Sequence, residues 1–156
     1  EQSLHEGEIN APVHVEAVDF DYDGDLDVLT AAMGVILPSD ANLGQVLILE
    51  NDGNEIFSLH VIAQNVQRVT DVQAGDLDGD GDPEITVAGA RLNGSYIHVY
   101  DNLGPEGEGG WLGVDYLEPI EVPIGACSIR SLDLELDGDV SSKGIFTNNI
   151  FPVIVG

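Results

Sequence analysis

Apolar and polar residues alternate along short segments of the chain, and Gly, Asn, Asp or Pro residues separate those segments. Stretches such as V-H-V-E-A-V, D-V-Q-A-G and S-I-R-S-L have the period of two that is typical of half-exposed strands. Others, such as L-D-V-L-T-A-A-M and E-I-T-V-A-G-A, are apolar and β-rich almost throughout. No long helical pattern competes with them, so the pattern predicts an all-β fold.

The next segment in each case predicts a strand that is covered on both faces. It reads G-Q-V-L-I-L-E-N-D-G once and G-S-Y-I-H-V-Y-D-N-L-G later, and Val46 and Ile48 alternate with Leu47 and Leu49. The fourth strands are expected in I-F-S-L-H-V-I-A and in W-L-G-V-D-Y-L-E-P-I-E-V. Tandem four-stranded antiparallel sheets that stack on one another satisfy these patterns, and a β-propeller is the natural architecture.

Three acidic loops reveal an internal repeat. They read D-F-D-Y-D-G-D-L-D from Asp19, D-L-D-G-D-G-D-P-E from Asp76 and D-L-E-L-D-G-D-V-S from Asp133, and successive loops start 57 residues apart. A fixed period of this length is typical of tandem structural units. We expect one repeat domain over residues 1–156, with units at about 10–66, 67–123 and 124–156, the third of them partial.

The first residues resemble the last strand of a blade. Ser3-Leu4-His5 matches Ser58-Leu59-His60 in the expected fourth strand of the first unit. Residues 1–9 are therefore expected to form an outer strand of a preceding or neighbouring blade. The chain starts at Glu1, which suits a processed or excised segment. Three arrangements stay open, namely a piece of a longer propeller, a closed ring of copies, and an open array formed by strand addition.

The order of strand, acidic loop, strand and third strand ending in N-D-G resembles the FG-GAP or VCBS repeat of integrin-type propellers. The likeness covers most of residues 10–140. It implies propeller blades, calcium in the loops and roles in adhesion, carbohydrate-associated proteins or cell-surface scaffolds, and it implies no single activity. The third unit departs from the pattern after Asp139, where S-S-K-G-I-F replaces the acidic position and the strand.

The loops have the chemistry of calcium sites. Calcium takes about 6–8 oxygen ligands, and carboxylates at loop positions 1, 3, 5 and 9 with a carbonyl at position 7 can supply them around a glycine turn. The expected ligands are Asp19, Asp21, Asp23, Asp25 (carbonyl) and Asp27 in loop one, Asp76, Asp78, Asp80, Asp82 (carbonyl) and Glu84 in loop two, and Asp133, Glu135, Asp137 and Asp139 in the degraded loop three. Two carboxylates about 4 Å apart repel by about 4 kcal/mol at an effective dielectric near 20, which a bound cation would offset.

Other readings of the loops fit less well. An EF-hand needs a glutamate at position 12 and flanking helices, whereas Thr30, Val87 and Gly144 stand there and the flanks are strand-like. Zinc is disfavoured because all the expected ligands are oxygens. A solvated acidic turn without metal is the remaining alternative, since Asp and Gly also favour turns.

Composition narrows the classes of partner. The chain has 29 acidic and 4 basic residues, a net charge of -25, so nucleic acid and anionic membrane surfaces are disfavoured partners. No apolar run approaches the roughly 20 residues of a membrane span. Cys127 is the only cysteine, which excludes an intrachain disulfide.

No catalytic motif stands out, so we expect no enzyme. The histidines, His5, His14, His60 and His98, lack a metal-binding or triad spacing. Asn93-Gly94-Ser95 is a glycosylation triplet in a predicted loop. The preferred function is a calcium-stabilised, secreted, structural or adhesive cell-surface module whose partners are copies of itself or further blades. The alternative is a carbohydrate- or protein-binding module of a larger secreted protein.

Overall fold

Eleven β-strands form the secondary structure in the described part of the chain. The computed structural model describes residues 9–77 and 81–102 in full, and the backbone alone of strands 114–116, 120–122, 143–146 and 152–155. The strands are β1 (Pro12–Val18), β2 (Asp27–Ala32), β3 (Gly44–Asn51), β4 (Phe57–Val66), β5 (Val69–Gly75), β6 (Glu84–Arg91), β7 (Gly94–Asn102), β8 (Val114–Tyr116), β9 (Ile120–Val122), β10 (Lys143–Phe146) and β11 (Pro152–Val155). The all-β prediction is confirmed, and the described residues include no helix that could cross a membrane.

Two antiparallel sheets follow one another along the chain. Sheet one has the order β1-β2-β3-β4. Sheet two has the order β5-β6-β7, and both β8 and β9 pair with the free edge of β7. The single fourth strand expected in the second unit is therefore two short segments. A separate hairpin joins β10 to β11. Four-stranded antiparallel units are thus present, whereas closure into a propeller stays a prediction.

The third strand of sheet one is buried on both faces, as its sequence predicted. Val46 and Ile48 are fully buried, and Leu47 and Leu49 on the other face are at most 5% exposed. Strand β1 has the expected period of two, but its exposed side chains include the apolar Val13 and Val15, at 42% and 63%, while His14 and Glu16 are partly buried. β-Branched and aliphatic residues on such half-buried surfaces are what stabilises these strands.

The two sheets share one hydrophobic core. The face that sheet one contributes to it and the face that sheet two contributes are opposite faces of equivalent strands. Sheet one contributes Leu29, Ala31, Val46 and Ile48, which we call its front face. Sheet two contributes Ile85, Val87 and Tyr100, which we call its back face. Residues 85 and 87 lie one repeat after 28 and 30, on the opposite face of β2 from Leu29 and Ala31. The sheets therefore pack front to back.

The same arrangement leaves one face of each sheet for further packing. The front face of sheet two carries a small cluster of Ala88, Ile97 and Val99 with Leu77 against it. The back face of sheet one carries exposed Val15 and Val61, at 63% and 47%. Both faces are apolar, as the stacking of further units would require.

Polar contacts also cross between the sheets at their first strands. His14 Nδ1 lies 2.8 Å from Asp71 Oδ1, and Glu16 Oε2 accepts a hydrogen bond from the backbone N–H of Ala74 at 2.9 Å. These contacts fix the relative position of β1 and β5.

Candidate metal centre

Loop one connects β1 to β2 and gathers three carboxylates. Asp19, Asp21 and Asp23 each offer an oxygen, and these oxygens lie within 4.8 Å of one another. They are loop positions 1, 3 and 5, so the structure brings together the three side chains on which the calcium prediction mainly rested. Oxygens at this spacing suit a hard cation such as calcium.

The backbone of the loop turns around these side chains. The N–H of Asp23 donates to Asp21 Oδ1 at 3.2 Å, that of Gly24 to Asp19 Oδ2 at 3.2 Å, and that of Asp25 to Asp23 Oδ1 at 2.9 Å. Gly24 has a φ of 99° and the matching Gly81 in loop two a φ of 104°, a conformation that side-chain-bearing residues rarely adopt. The loop is therefore held in shape by its own hydrogen bonds and one glycine.

The residues present fit a cation at one atom in particular. Asp19 Oδ1 is buried from solvent and has no hydrogen-bond partner in the described part of the chain. A buried carboxylate oxygen without a partner costs free energy, and a cation ligated there would satisfy it.

Position 9 of loop one has a second role that the sequence did not reveal. Asp27 is fully buried, and its two carboxylate oxygens accept the N–H groups of Phe20 at 3.0 Å and Asn51 at 2.9 Å. Burial raises the pKa of Asp27, and these two hydrogen bonds oppose the rise. Asp27 thus ties the loop to the ends of β1 and β3. Its expected role as a calcium ligand stays a prediction.

The asparagine that ends the third strand supports the loop in both repeats. Asn51 Nδ2 donates to the carbonyl of Leu26 at 3.4 Å, and Asn102 Nδ2 donates to that of Pro83 at 3.3 Å. Leu26 and Pro83 both occupy loop position 8. In the sequence, an asparagine ends the third strand of both repeats as part of the family pattern. This repetition is the sequence signal for the contact.

The turn after that asparagine also touches the loop. A Cβ on Gly53, whose φ is 75°, would lie 2.2 Å from Asp25 Oδ2. The side chain of Asp25 therefore lies against the β3–β4 turn, and its expected role as a calcium ligand through the carbonyl stays a prediction.

Loop two repeats the geometry where it is described. The carboxylate of Glu84 is buried and accepts the N–H of Leu77, as Asp27 accepts that of Phe20. Asp76 and Asp82 are partly buried. The other expected ligands lie outside the described residues, namely Asp78 and Asp80 of loop two and Asp133, Glu135, Asp137 and Asp139 of loop three.

The two described loops lie side by side at one end of the sheets. Burial raises the pKa of Tyr22 in loop one, and the nearby charges of Asp76 and Asp82 in loop two add to the rise. The expected glycosylation residue, Asn93, is exposed in the β6–β7 turn at the opposite end.

The comparison with protein families agrees with this geometry. The family described as FG-GAP-like repeat matches residues 19–87. That stretch is similar to an FG-GAP-type repeat. It begins at the first carboxylate of loop one, contains loop two and ends within β6, so the predicted resemblance is confirmed there. No curated protein and no solved structure matches the chain.

Proposed function

We propose that this FG-GAP-type module is an extracellular structural or adhesive unit whose blades are stabilised by calcium. The observation that supports this most is the convergence of Asp19, Asp21 and Asp23 around a buried oxygen of Asp19 that accepts no hydrogen bond. Millimolar calcium is the ordinary extracellular condition under which weak oxygen-ligand sites of this kind are occupied. FG-GAP repeats are typically non-catalytic, and we assign this chain no catalytic role.

Loop one would hold the ion through Asp19, Asp21 and Asp23, with the carbonyl of Asp25 and the carboxylate of Asp27 completing the set. When bound, calcium supplies positive charge to a loop that contains five aspartates and no basic residue. The chain's own hydrogen bonds position these oxygens beforehand, so binding orders little backbone. The equivalent residues of loop two would form the second site.

Calcium should stabilise the folded chain by mass action. At a hundredfold excess over the dissociation constant, one site contributes about 2.7 kcal/mol, which corresponds to a rise in Tm of about 5–10 °C for a domain of this size. The test is thermal unfolding in calcium and in chelator, together with calorimetric titration of calcium. Equal melting temperatures in both conditions would overturn the proposal.

A charge-matched pair of variants separates ligation from the relief of charge repulsion. Asp23→Ala removes one expected ligand together with its charge, whereas Glu55→Gln removes the same charge from an exposed residue outside the loop. We expect only Asp23→Ala to abolish the calcium binding of loop one. If both variants weakened calcium binding equally, loop one would act through its charge alone and the ligand assignment would be wrong.

The partner we propose is a second copy of the chain, which packs a front face on the back face of sheet one. The support is the repeat itself, because the equivalent back face of sheet two is already covered by a front face. Sedimentation velocity over a range of concentrations, with calcium present, tests this. We expect concentration-dependent association that Val15→Lys weakens and Leu26→Lys, an exposed apolar residue of loop one, leaves unchanged. A monomer at every concentration would contradict it.

A further inference from the structure

The connection between β2 and β3 carries aliphatic side chains that the fold leaves exposed. It runs over eleven residues, 33–43, whereas the equivalent connection between β6 and β7 has two, residues 92 and 93. Ile36 and Leu37 are 78% and 77% exposed, more than any other large apolar side chain in the described part of the chain. Because the second repeat closes the same turn with two residues, the sheet does not require this loop. Its apolar residues therefore need an explanation other than folding.

Contacts with neighbouring segments hold the loop in place. The N–H of Met33 donates to the carbonyl of Ala11 at 2.9 Å, where the loop begins. Further along, Arg68 Nη2 donates to the carbonyl of Ile36 at 3.2 Å and to Met33 Sδ at 3.1 Å. An apolar surface that is already ordered loses little conformational entropy when something covers it.

Both sheets contribute to the apolar surface at this end of the strands. Leu43 and Leu92 are 52% and 51% exposed. Leu92 lies in the β6–β7 turn, and its N–H donates to Asp40 Oδ1 of the β2–β3 loop at 2.9 Å. A shallow groove of about 620 Å³ opens beside the loop. We define the apolar tip as the four exposed aliphatic residues Ile36, Leu37, Leu43 and Leu92.

The charge near the apolar tip is unlike that of the rest of the chain. The acidic loops lie at the other end of the sheets, and the eight residues of β3 place them about 26 Å away. Charges at this distance are largely screened at physiological salt, where the Debye length is about 8 Å. Arg68 and Arg91, the basic residues of the ranges described in full, both lie at the end of the tip. The one carboxylate of the loop, that of Asp40, already accepts a hydrogen bond.

The position and size of the apolar tip favour one kind of partner. Further repeat units would pack on the faces of the sheets, as sheet two packs on sheet one, and would leave the strand ends uncovered. A stable protein interface buries about 800 Å² on each side, which is more than four aliphatic side chains offer. A lipid bilayer needs no matching shape, because its hydrocarbon accepts any aliphatic side chain and arginines can stay at the level of the headgroups.

We propose that the apolar tip lies on a neutral lipid bilayer, with Ile36 and Leu37 inserted at the boundary between headgroups and acyl chains. The net charge of -25 opposes approach to anionic lipids, so a zwitterionic phosphatidylcholine surface is the one that fits. The chain would lie on the membrane without spanning it, and the acidic loops would face the solution. This contact goes beyond the proposed function and does not depend on calcium in the loops.

Flotation of the calcium-loaded chain with phosphatidylcholine vesicles tests the proposal. The chain is produced in bacteria, so that Asn93 beside the tip carries no glycan. We expect half-maximal binding on the order of 1 mM lipid, weaker than the about 0.1 mM of a single myristoyl chain. Ile36→Ser together with Leu37→Ser should weaken binding about tenfold. The matched control, Leu26→Ser together with Ile56→Ser, changes exposed aliphatic residues at the loop end and should bind as the native chain does.

A tryptophan at the tip reports insertion directly. The fluorescence of Leu37→Trp should shift to shorter wavelength with vesicles and should be quenched by phosphatidylcholine with brominated acyl chains. Leu26→Trp, at the opposite end, should show neither change. The native Trp111 contributes the same background to both variants.

Three results would overturn the proposal. The first is that phosphatidylcholine vesicles do not bind the chain, or that the two double variants lose binding equally. The second is binding to phosphatidylserine vesicles alone and only with calcium, which would place the contact at the acidic loops. The third is that sedimentation velocity shows lost self-association in the Ile36→Ser and Leu37→Ser double variant while vesicles do not bind, which would make the tip an interface between copies.

Discussion

His14 and Asp71 occupy the same position in successive repeats, 57 residues apart, and yet they contact each other, with Nδ1 and Oδ1 2.8 Å apart. The side chain of Asp71 is only 4% exposed. If both repeats had the same residue at this position, two histidines or two aspartates would face each other. The difference between histidine and aspartate is therefore what makes the contact favourable.

Loss of this contact should cost more than loss of a comparable pair near the surface. His14→Ala leaves a buried carboxylate with one partner fewer, and we expect a destabilisation of about 1–3 kcal/mol. His60→Ala removes a similar pair with Glu50 in which both side chains are about a quarter exposed, and it should cost about 0–1 kcal/mol. Urea unfolding measures both, and equal losses would contradict the importance of burial.

Substitutions of Asp27 and Asp23 should differ in how strongly the loss of stability depends on calcium. Asp27→Asn removes a carboxylate oxygen that accepts a backbone N–H, and should cost about 1–3 kcal/mol even in chelator. Asp23→Ala lies on an exposed part of the loop and should destabilise the chain mainly in calcium, where the ligand is lost. Urea unfolding of both variants, in calcium and in chelator, checks this. If Asp27→Asn did not change the free energy of unfolding in chelator, the structural role of Asp27 would be contradicted.

Because the pKa of Asp27 is raised, its contribution to the free energy of unfolding should depend on pH. Its ordinary value is 3.8, and burial places the folded value above this. Between the two values the folded state retains a proton that the unfolded state has lost, so the stability contributed by Asp27 falls as pH rises through the folded pKa. In chelator, the stability advantage of the native chain over Asp27→Asn should therefore shrink as the pH rises above the ordinary pKa of 3.8. An advantage that grows over this range would contradict the shift.

Gly89 should tolerate no larger residue while Tyr96 is present. A Cβ on Gly89 would lie 1.9 Å from Cζ of Tyr96, its cross-strand partner. We expect Gly89→Ala to destabilise the fold by about 1–3 kcal/mol through overpacking. Adding Tyr96→Gln copies the Ala32–Gln45 pair of the first repeat and should recover much of the loss. Additive losses in the double variant would show that the ring is not the obstacle.

Much of this structure could be read from periodicity. Alternation predicted β1 and β5, the two-sided apolar run predicted the burial of β3, and the 57-residue spacing predicted two sheets of one kind. The division of the expected fourth strand into β8 and β9 was not predicted from alternation, although Pro119 lies directly before β9 and proline disfavours the interior of a strand. The carboxylates of the metal site could be predicted, because they lie close together in the sequence of one loop.

What the sequence left unseen depends on contacts between distant segments. The hydrogen bond from Asn51 to Asp27 and the contact of His14 with Asp71 each join residues more than 20 positions apart. The pattern of apolar and polar residues along the chain does not indicate which distant residues contact each other. Strand pairing also places His98 of the second repeat at the position of Leu47 in the first, a difference that becomes visible only when the paired strands are aligned.

Front-to-back packing has a consequence for how such a chain changes length in evolution. The two surfaces that meet are different, so a gene duplication that inserts one whole unit supplies a back face for the existing front face and a new front face for the next unit. Unequal recombination in steps of 57 residues therefore preserves every interface. A crossover that shifts the residues of a strand by an odd number exchanges its inner and outer side chains, and selection would remove it.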